Sequence, residues 1–436
     1  MYQQTAEELL EFIEKCPTAF HVIEQVKKQL SKEGFCELKE TDRWELEMGK
    51  AYYVTRNSSS LIAFRIPKQD FCGFSIIASH SDAPAFKLKE KAEMGVEKLY
   101  VKLNVEKYGG MICAPWMDRP LSIAGRVMVK TERGFRQKLI NIDRDLVVIP
   151  NLAIHQNHSV NDGMKYNPQV EMLPLFSSFD SETKLLDMVA LEAGVKKEDI
   201  IGQELFLYNR MAGTLWGAEE EFISSPKLDD LECAYCTLQG FLAGKNEEQT
   251  TVYAVFDNEE VGSGTRQGAA STFLKDTLMR INAAAGRTHE DYLRALAAGF
   301  MLSADNGHAV HPNHPETTDP SHRPVLNGGI LLKHSANQKY TTDAVSAAMV
   351  RMICQQAEIP YQEYFNRSDM PGGSTLGNLS NQQAAIKTAD FGAAQLSMHS
   401  PYETGGAKDP YYMECFAKAF YEAPLGGDED GFIIVK

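Results

Sequence analysis

The stretch Thr251–Ser263 reads TVYAVFDNEEVGS: an apolar, β-branched and aromatic run that stops in three carboxylates, Asp257, Glu259 and Glu260. Its length and composition are those of a buried strand, not of a solvated helix face. Acids at the end of a buried strand lose hydration, which is costly unless something positive sits among them. A bound metal ion would meet that need.

Working outward, the pattern alternates. LDDLECAYCTLQGFLAG (228–244) precedes the stretch with helical character, and AASTFLKDTLMRINAAAG (269–286) follows it in the same way. AGFMLSA (298–304) then reads as a strand and TTDAVSAAMVRMICQQA (341–357) as a helix, the alternation of a layered α/β domain. The other end of the chain fits the same domain. Leu9, Leu10 and Ile13 form one helical stripe, Pro17 breaks it, and Phe20, Ile23, Val26 and Leu30 form a second, ahead of the strands LIAFRI (61–66) and GFSIIAS (73–79). From about Leu99 to Leu215 the character changes. LSIAGRVMVK, KLINI and DLVVIP are short runs split by Gly, Pro and Asn, with SETKLLDMVALEAGV (181–195) as one helix-like exception. The expected fold is therefore α/β: a layered domain with a central mixed sheet flanked by helices, formed by 1–92 and 221–436 and interrupted by a β-rich insertion over 93–220.

Length and charge agree with this and narrow the function. A chain of 436 residues exceeds what most single cores hold. With 44 basic against 59 acidic residues the net charge is −15, which disfavours nucleic acid and anionic membrane surfaces as partners. The opening MYQQTAEELLEFIEK carries acids where a signal peptide needs basic residues, and no segment has the length of a membrane span, so a cytoplasmic protein is expected. Eight scattered cysteines do not form a disulfide framework, and Cys233-x-x-Cys236, without a second such pair, reads as packing.

Apolar runs in the α/β part repeatedly end in residues of metal-ligand type. GFSIIASHSD gives His80 and Asp82, the opening stretch gives Glu259 and Glu260, AGFMLSADNGH gives Asp305 and His308, and AAQLSMHS gives His399. Ligands of open α/β sheets gather at the carboxyl ends of strands, so these residues can converge. Asp229, in the SPKLDDL turn, is a fifth candidate, although it reads equally well as a helix cap. Two histidines and three carboxylates would hold two divalent ions with one carboxylate shared. Such a shell suits zinc and tolerates manganese or cobalt. If Glu260 is a ligand, Glu259 is left as a free carboxylate that can take a proton from an attacking water. Asp257 reads as structural.

CPTAFHV (16–22), HSD, SPKLDDL, DNEEVGS, SADNGHAVHPN, RSDMPGGSTLG (367–377) and SMHSPYE (397–403), in that order, resemble the aminopeptidase I and aspartyl aminopeptidase family of dinuclear metallo-exopeptidases. The resemblance implies that His80, Asp229 and Asp305 bind one ion while Asp229, Glu260 and His399 bind the other. It makes Glu259 the catalytic base and Asp82 the acid that orients His80. It places His155, in NLAIHQN, in the active site of a neighbouring subunit, a metal-ligand role being the alternative, and gives His308 and Lys333 substrate contacts. It further implies peptide substrates with a free amino terminus, dimerisation through the β-rich insertion and assembly into a dodecamer. Lys333 would favour amino-terminal Asp or Glu, although relatives that prefer neutral residues exist. The rival readings are a related dinuclear carboxypeptidase or deacylase, and an idle metal-binding assembly protein.

Overall fold

The computed structural model describes residues 1–427 and 432–434. Apolar residues at helical spacing bury one face of each opening helix, Tyr2–Glu14 through Leu9, Phe12 and Ile13, and Ala19–Lys32 through Phe20, Ile23, Val26 and Leu30. Strands from both ends of the chain then share one mixed sheet of nine. In spatial order these are Cys36–Leu38, Ala51–Arg56, Ser60–Arg65, Gln249–Phe256, Gly73–His80, Phe300–Ala304, Lys387–Gly392, Ile330–His334 and Tyr361–Phe365. The central four run parallel.

Parallel strands covered on both faces read as continuous apolar runs, and these do. Along Gln249–Phe256 the side chains of Tyr253 and Val255 enter one core with the helices Leu228–Ala243, Ala344–Gln356 and Asp409–Glu422, while Val252, Ala254 and Phe256 enter another with Phe273–Ala284 and His289–Ala297. This two-sided burial sends the strand ends, not the strand faces, toward the site.

A second sheet is antiparallel, in the order Gly134–Asn141, Leu121–Thr131, Ile200–Asn209, Ala85–Val96, Tyr100–Tyr108, Leu175–Ser178, with the helix Leu185–Ala193 against it. Its strand Ala85–Val96 begins ahead of residue 93. A third sheet joins Thr214–Trp216, Phe222–Ser225, Glu403–Gly406, Ala394–Leu396 and Gly307–His308.

Two local expectations are corrected. DLVVIP forms no strand and contributes only the isolated bridges Leu121↔Val147 and Val148↔Leu175. The helix expected over 269–286 starts at Phe273, because the Ser271 N–H donates to the Gly268 carbonyl and closes a turn ahead of it. Both Cys233 and Cys236 are fully buried in the Leu228–Ala243 helix. No helix among the described residues is long and apolar enough to cross a membrane.

Candidate metal centre

Parallel register carries the chemistry to one sheet edge. Phe256 pairs with His80, so Asp257–Glu260 leave the sheet beside His80, and Ser303 pairs with Ala78, so Asp305 follows on the other side. Asp229 and Asp230 arrive at the start of the Leu228–Ala243 helix with non-helical dihedrals. His399 comes from the loop after Ala394–Leu396.

The side chains converge in three groups whose ligand atoms lie within 4.8 Å of one another: His80, Asp229, Asp230 and Asp305; His80, Glu259 and Glu260; and Asp229, Glu260 and His399. His80 Nε2 is 3.6 Å from Asp229 Oδ1, and His399 Nε2 is 3.4 Å from Asp229 Oδ2 and 3.5 Å from Glu260 Oε2. Asp229 thus stands between the two histidines.

Hydrogen-bond chemistry shows that these residues fit divalent cations. His80 Nδ1 lies 3.1 Å from the Asp82 carbonyl and His399 Nδ1 lies 2.5 Å from the Gly110 carbonyl. A carbonyl only accepts, so each Nδ1 carries a proton, and each Nε2 is left facing carboxylate oxygens. Positive charge, a proton or a metal cation, must lie between them. Among the described residues the buried Asp229 Oδ1, Asp230 Oδ1 and Glu260 Oε1 have no hydrogen-bond partner. Leaving such groups unsatisfied costs roughly 1–3 kcal/mol each, more when charged. Mixed nitrogen and oxygen donors of this kind suit a bound divalent cation, which would answer both problems.

Titration shifts report the same crowding. Burial, with the Asp229 charge added, pushes Glu260 well above the ordinary carboxylate range. Burial pushes Glu259 up to about 8, opposed by His80 and reinforced by Asp305, Asp82 and Asp229. Burial alone would lower His80, but the surrounding carboxylates, led by Asp230, hold it well above its ordinary value. Positive charge is what the cluster lacks.

Glu259 differs from its neighbour. Among the described residues its carboxylate makes no hydrogen bond, while its N–H donates to Asp82 Oδ1 at 3.1 Å and that of Glu260 to Asp82 Oδ2 at 3.2 Å. Asp82 therefore braces the turn that carries both glutamates. Its contact with His80 runs chiefly through its carbonyl, the carboxylate lying 3.4 Å from Nδ1. Tyr108, at the end of a strand of the second sheet, donates to Asp82 Oδ2 at 2.6 Å. The following turn closes in further: Gly109 has φ +80°, and a Cβ there would lie 3.1 Å from Glu260 Cβ.

The remaining residues of the sequence reading are members of none of these groups. His308 is exposed on the short Gly307–His308 strand, 6.4 Å from the Tyr364 ring. Lys333 is 2% exposed, and its ammonium donates to the carbonyls of Asp305 and Asn306 at 3.0 and 2.9 Å, with Asp305 Oδ1 at 3.7 Å. Two of its three donors are thus committed inside the chain, and it acts on its surroundings mainly as a buried charge. His155 is exposed in a loop, with His158 as its ring neighbour at 6.5 Å. Asp257 is buried and pushed up to about 7 by burial and then by Asp82. Two acids escaped the sequence reading. Asp230 accepts the His80 N–H at 3.1 Å, and Glu403 accepts those of Asp229 and His399. The doubled acid in LDDL was a usable signal for the first, whereas Glu403 looks like any acid in a turn.

A family model for the aminopeptidase I zinc metalloproteases (M18) matches residues 12–421. A protein of Clostridium novyi (strain NT) named "Probable M18 family aminopeptidase 2" is 45% identical, covering 95% of this chain and 98% of its own. The "Probable aspartyl aminopeptidase" of Ricinus communis is 34% identical, covering 95% and 94%. Among solved structures, the S. cerevesiae mApe1 dodecamer superposes with a TM-score of 0.85 at 29% identity, covering 97% of each chain.

Proposed function

The chain belongs to the aminopeptidase I zinc metalloprotease (M18) family and is a metalloaminopeptidase, and from that premise we propose a dinuclear enzyme with a preference for peptides that begin with Asp or Glu. The observation that carries this reading is the placing of Asp229 between His80 and His399, whose Nε2 atoms both face it. His80, Asp229 and Asp305 would hold one ion and Asp229, Glu260 and His399 the other, zinc being the best match and manganese or cobalt workable. Bound there, the ions supply the Lewis-acid charge that activates water and polarises the scissile carbonyl.

The chain's own residues do the rest. Glu259 takes the proton of the attacking water and passes it to the nitrogen of the departing amine, which its freedom from hydrogen bonds permits. Asp82 keeps that base in place through the two N–H groups it accepts. His308 contacts substrate. Lys333 biases the substrate's first side chain toward a carboxylate by its field, and the aspartyl aminopeptidase relative supports that preference. The test is relative kcat/KM on matched peptides beginning with Asp, Glu, Leu and Lys, with acetylated versions as controls. Unblocked Asp and Glu peptides should be cleaved fastest and acetylated ones not at all; cleavage of the blocked series points to a deacylase or endopeptidase. In Lys333→Met the ratio of Asp to Leu should fall by about tenfold, the equivalent of roughly 1.4 kcal/mol. An unchanged ratio removes Lys333 from specificity.

We further read the β-rich block, 93–220, as a dimerisation domain in a cytoplasmic homo-oligomer, with the dodecamer as the full assembly. His155, exposed beside the apolar Leu152 and Ile154, would complete the site of the adjoining subunit. Equal amounts of inactive His155→Ala and Glu259→Gln proteins, mixed with subunit exchange, should then regain activity, since random pairing rebuilds about a quarter of the sites. No recovery after verified exchange places His155 outside the site.

A further inference from the structure

Glu403 opens the strand Glu403–Gly406 and is 1% exposed. Pairing with Ser225 in the third sheet sets it beside the turn that leads into Asp229. Its two oxygens divide between two segments distant in sequence: Oε1 accepts the His399 N–H at 2.7 Å, and Oε2 accepts the Asp229 N–H at 2.9 Å. Both belong to the group that contains Glu260. Glu403 itself appears in none of the ligand groups.

Neither ligand is held by regular structure. His399 has φ +66°, in the left-handed region that histidine enters at a cost, and Lys227, two residues before Asp229, has φ +58°. Such conformations cost of order 1–3 kcal/mol and persist only where surrounding bonds over-determine them. Around His399 those bonds are the Gly110 carbonyl on Nδ1, the Ile112 N–H on the carbonyl, and Glu403 on the N–H. Only Glu403 also reaches Asp229. A carboxyl group whose two oxygens each accept a backbone N–H ties the two segments together in a way that an acceptor reaching only one of them cannot.

We propose that Glu403 is a positioning residue that fixes Asp229 and His399 by their backbone N–H groups and thereby sets the affinity for the ion they share. The proposal rests on the dinuclear reading above. Outer residues that orient metal ligands typically change affinity by about 10- to 100-fold when removed.

The experiment is zinc titration of the metal-free full-length protein against a chromophoric chelator, for wild type and Glu403→Gln, with the absorption spectrum of the cobalt-loaded forms read in parallel. Glutamine keeps the size but presents an amide N–H₂ to one of the two backbone donors. The result expected is one ion weakened by about tenfold or more, an altered cobalt spectrum, and turnover that excess zinc restores. Two ions bound at wild-type affinity with an unchanged spectrum overturn the proposal while leaving the dinuclear reading intact. That reading is tested separately by the wild-type stoichiometry in the same titration. Should Glu403→Gln not fold, Glu403→Asp, which keeps the carboxyl group but withdraws its oxygens, is read by the same criteria.

Discussion

Replacing Glu259 by glutamine is expected to lower kcat by roughly a hundred- to ten-thousandfold, the usual contribution of a positioned general base, while the metal content of the purified protein stays at the wild-type level. The two glutamates are adjacent, yet the chain treats them differently. Glu260 lies 3.5 Å from His399 Nε2 with a buried, unpartnered Oε1, the position of a group that needs a cation. Among the described residues nothing hydrogen-bonds to the Glu259 carboxylate, and it is close enough to His80 and Asp305 to feel both charges. Glutamine keeps the shape and loses only the ability to accept a proton and hand it on. The measurements are kcat on an unblocked peptide and metal analysis of the same sample. If metal and turnover fall together, the roles of Glu259 and Glu260 are exchanged.

How much of this was legible in the sequence depends on the kind of signal. Buried parallel strands announce themselves, because both faces are apolar, so TVYAVF, GFSIIAS and FMLSA could be placed, and the acids at their ends stood out against them. Sheet register then brings those ends together, which one-dimensional reading anticipates only through the rule that strand ends gather ligands. His399 was harder. Its loop follows a strand of three residues, and its orientation depends on a left-handed φ and on the Gly110 carbonyl, 289 residues away in sequence. Glu403 was invisible as a site residue because it acts by accepting backbone N–H groups, a role that any buried acid can fill and no spacing predicts, whereas the doubled acid in LDDL did mark Asp230. Lys333 shows the reverse. The resemblance alone implied a substrate contact for this lysine, and its burial with two carbonyl partners makes it a source of field.

The central claim is that the cluster around Asp229 exists to hold two cations without which no peptide is cut. Seven acids, Asp82, Asp229, Asp230, Glu259, Glu260, Asp305 and Glu403, surround or brace the centre. Burying such charges without partners is strongly unfavourable, so chelation should remove function rather than merely slow it. The most direct measurement is turnover of an unblocked Asp peptide against metal content per chain, first after exhaustive chelation and then as zinc, manganese or cobalt is added back. Turnover should fall by at least about a thousandfold, on the scale of several kcal/mol of transition-state stabilisation supplied by bound ions, and return completely only when two ions per chain are present. Full turnover in protein whose measured metal content is nil would contradict that claim.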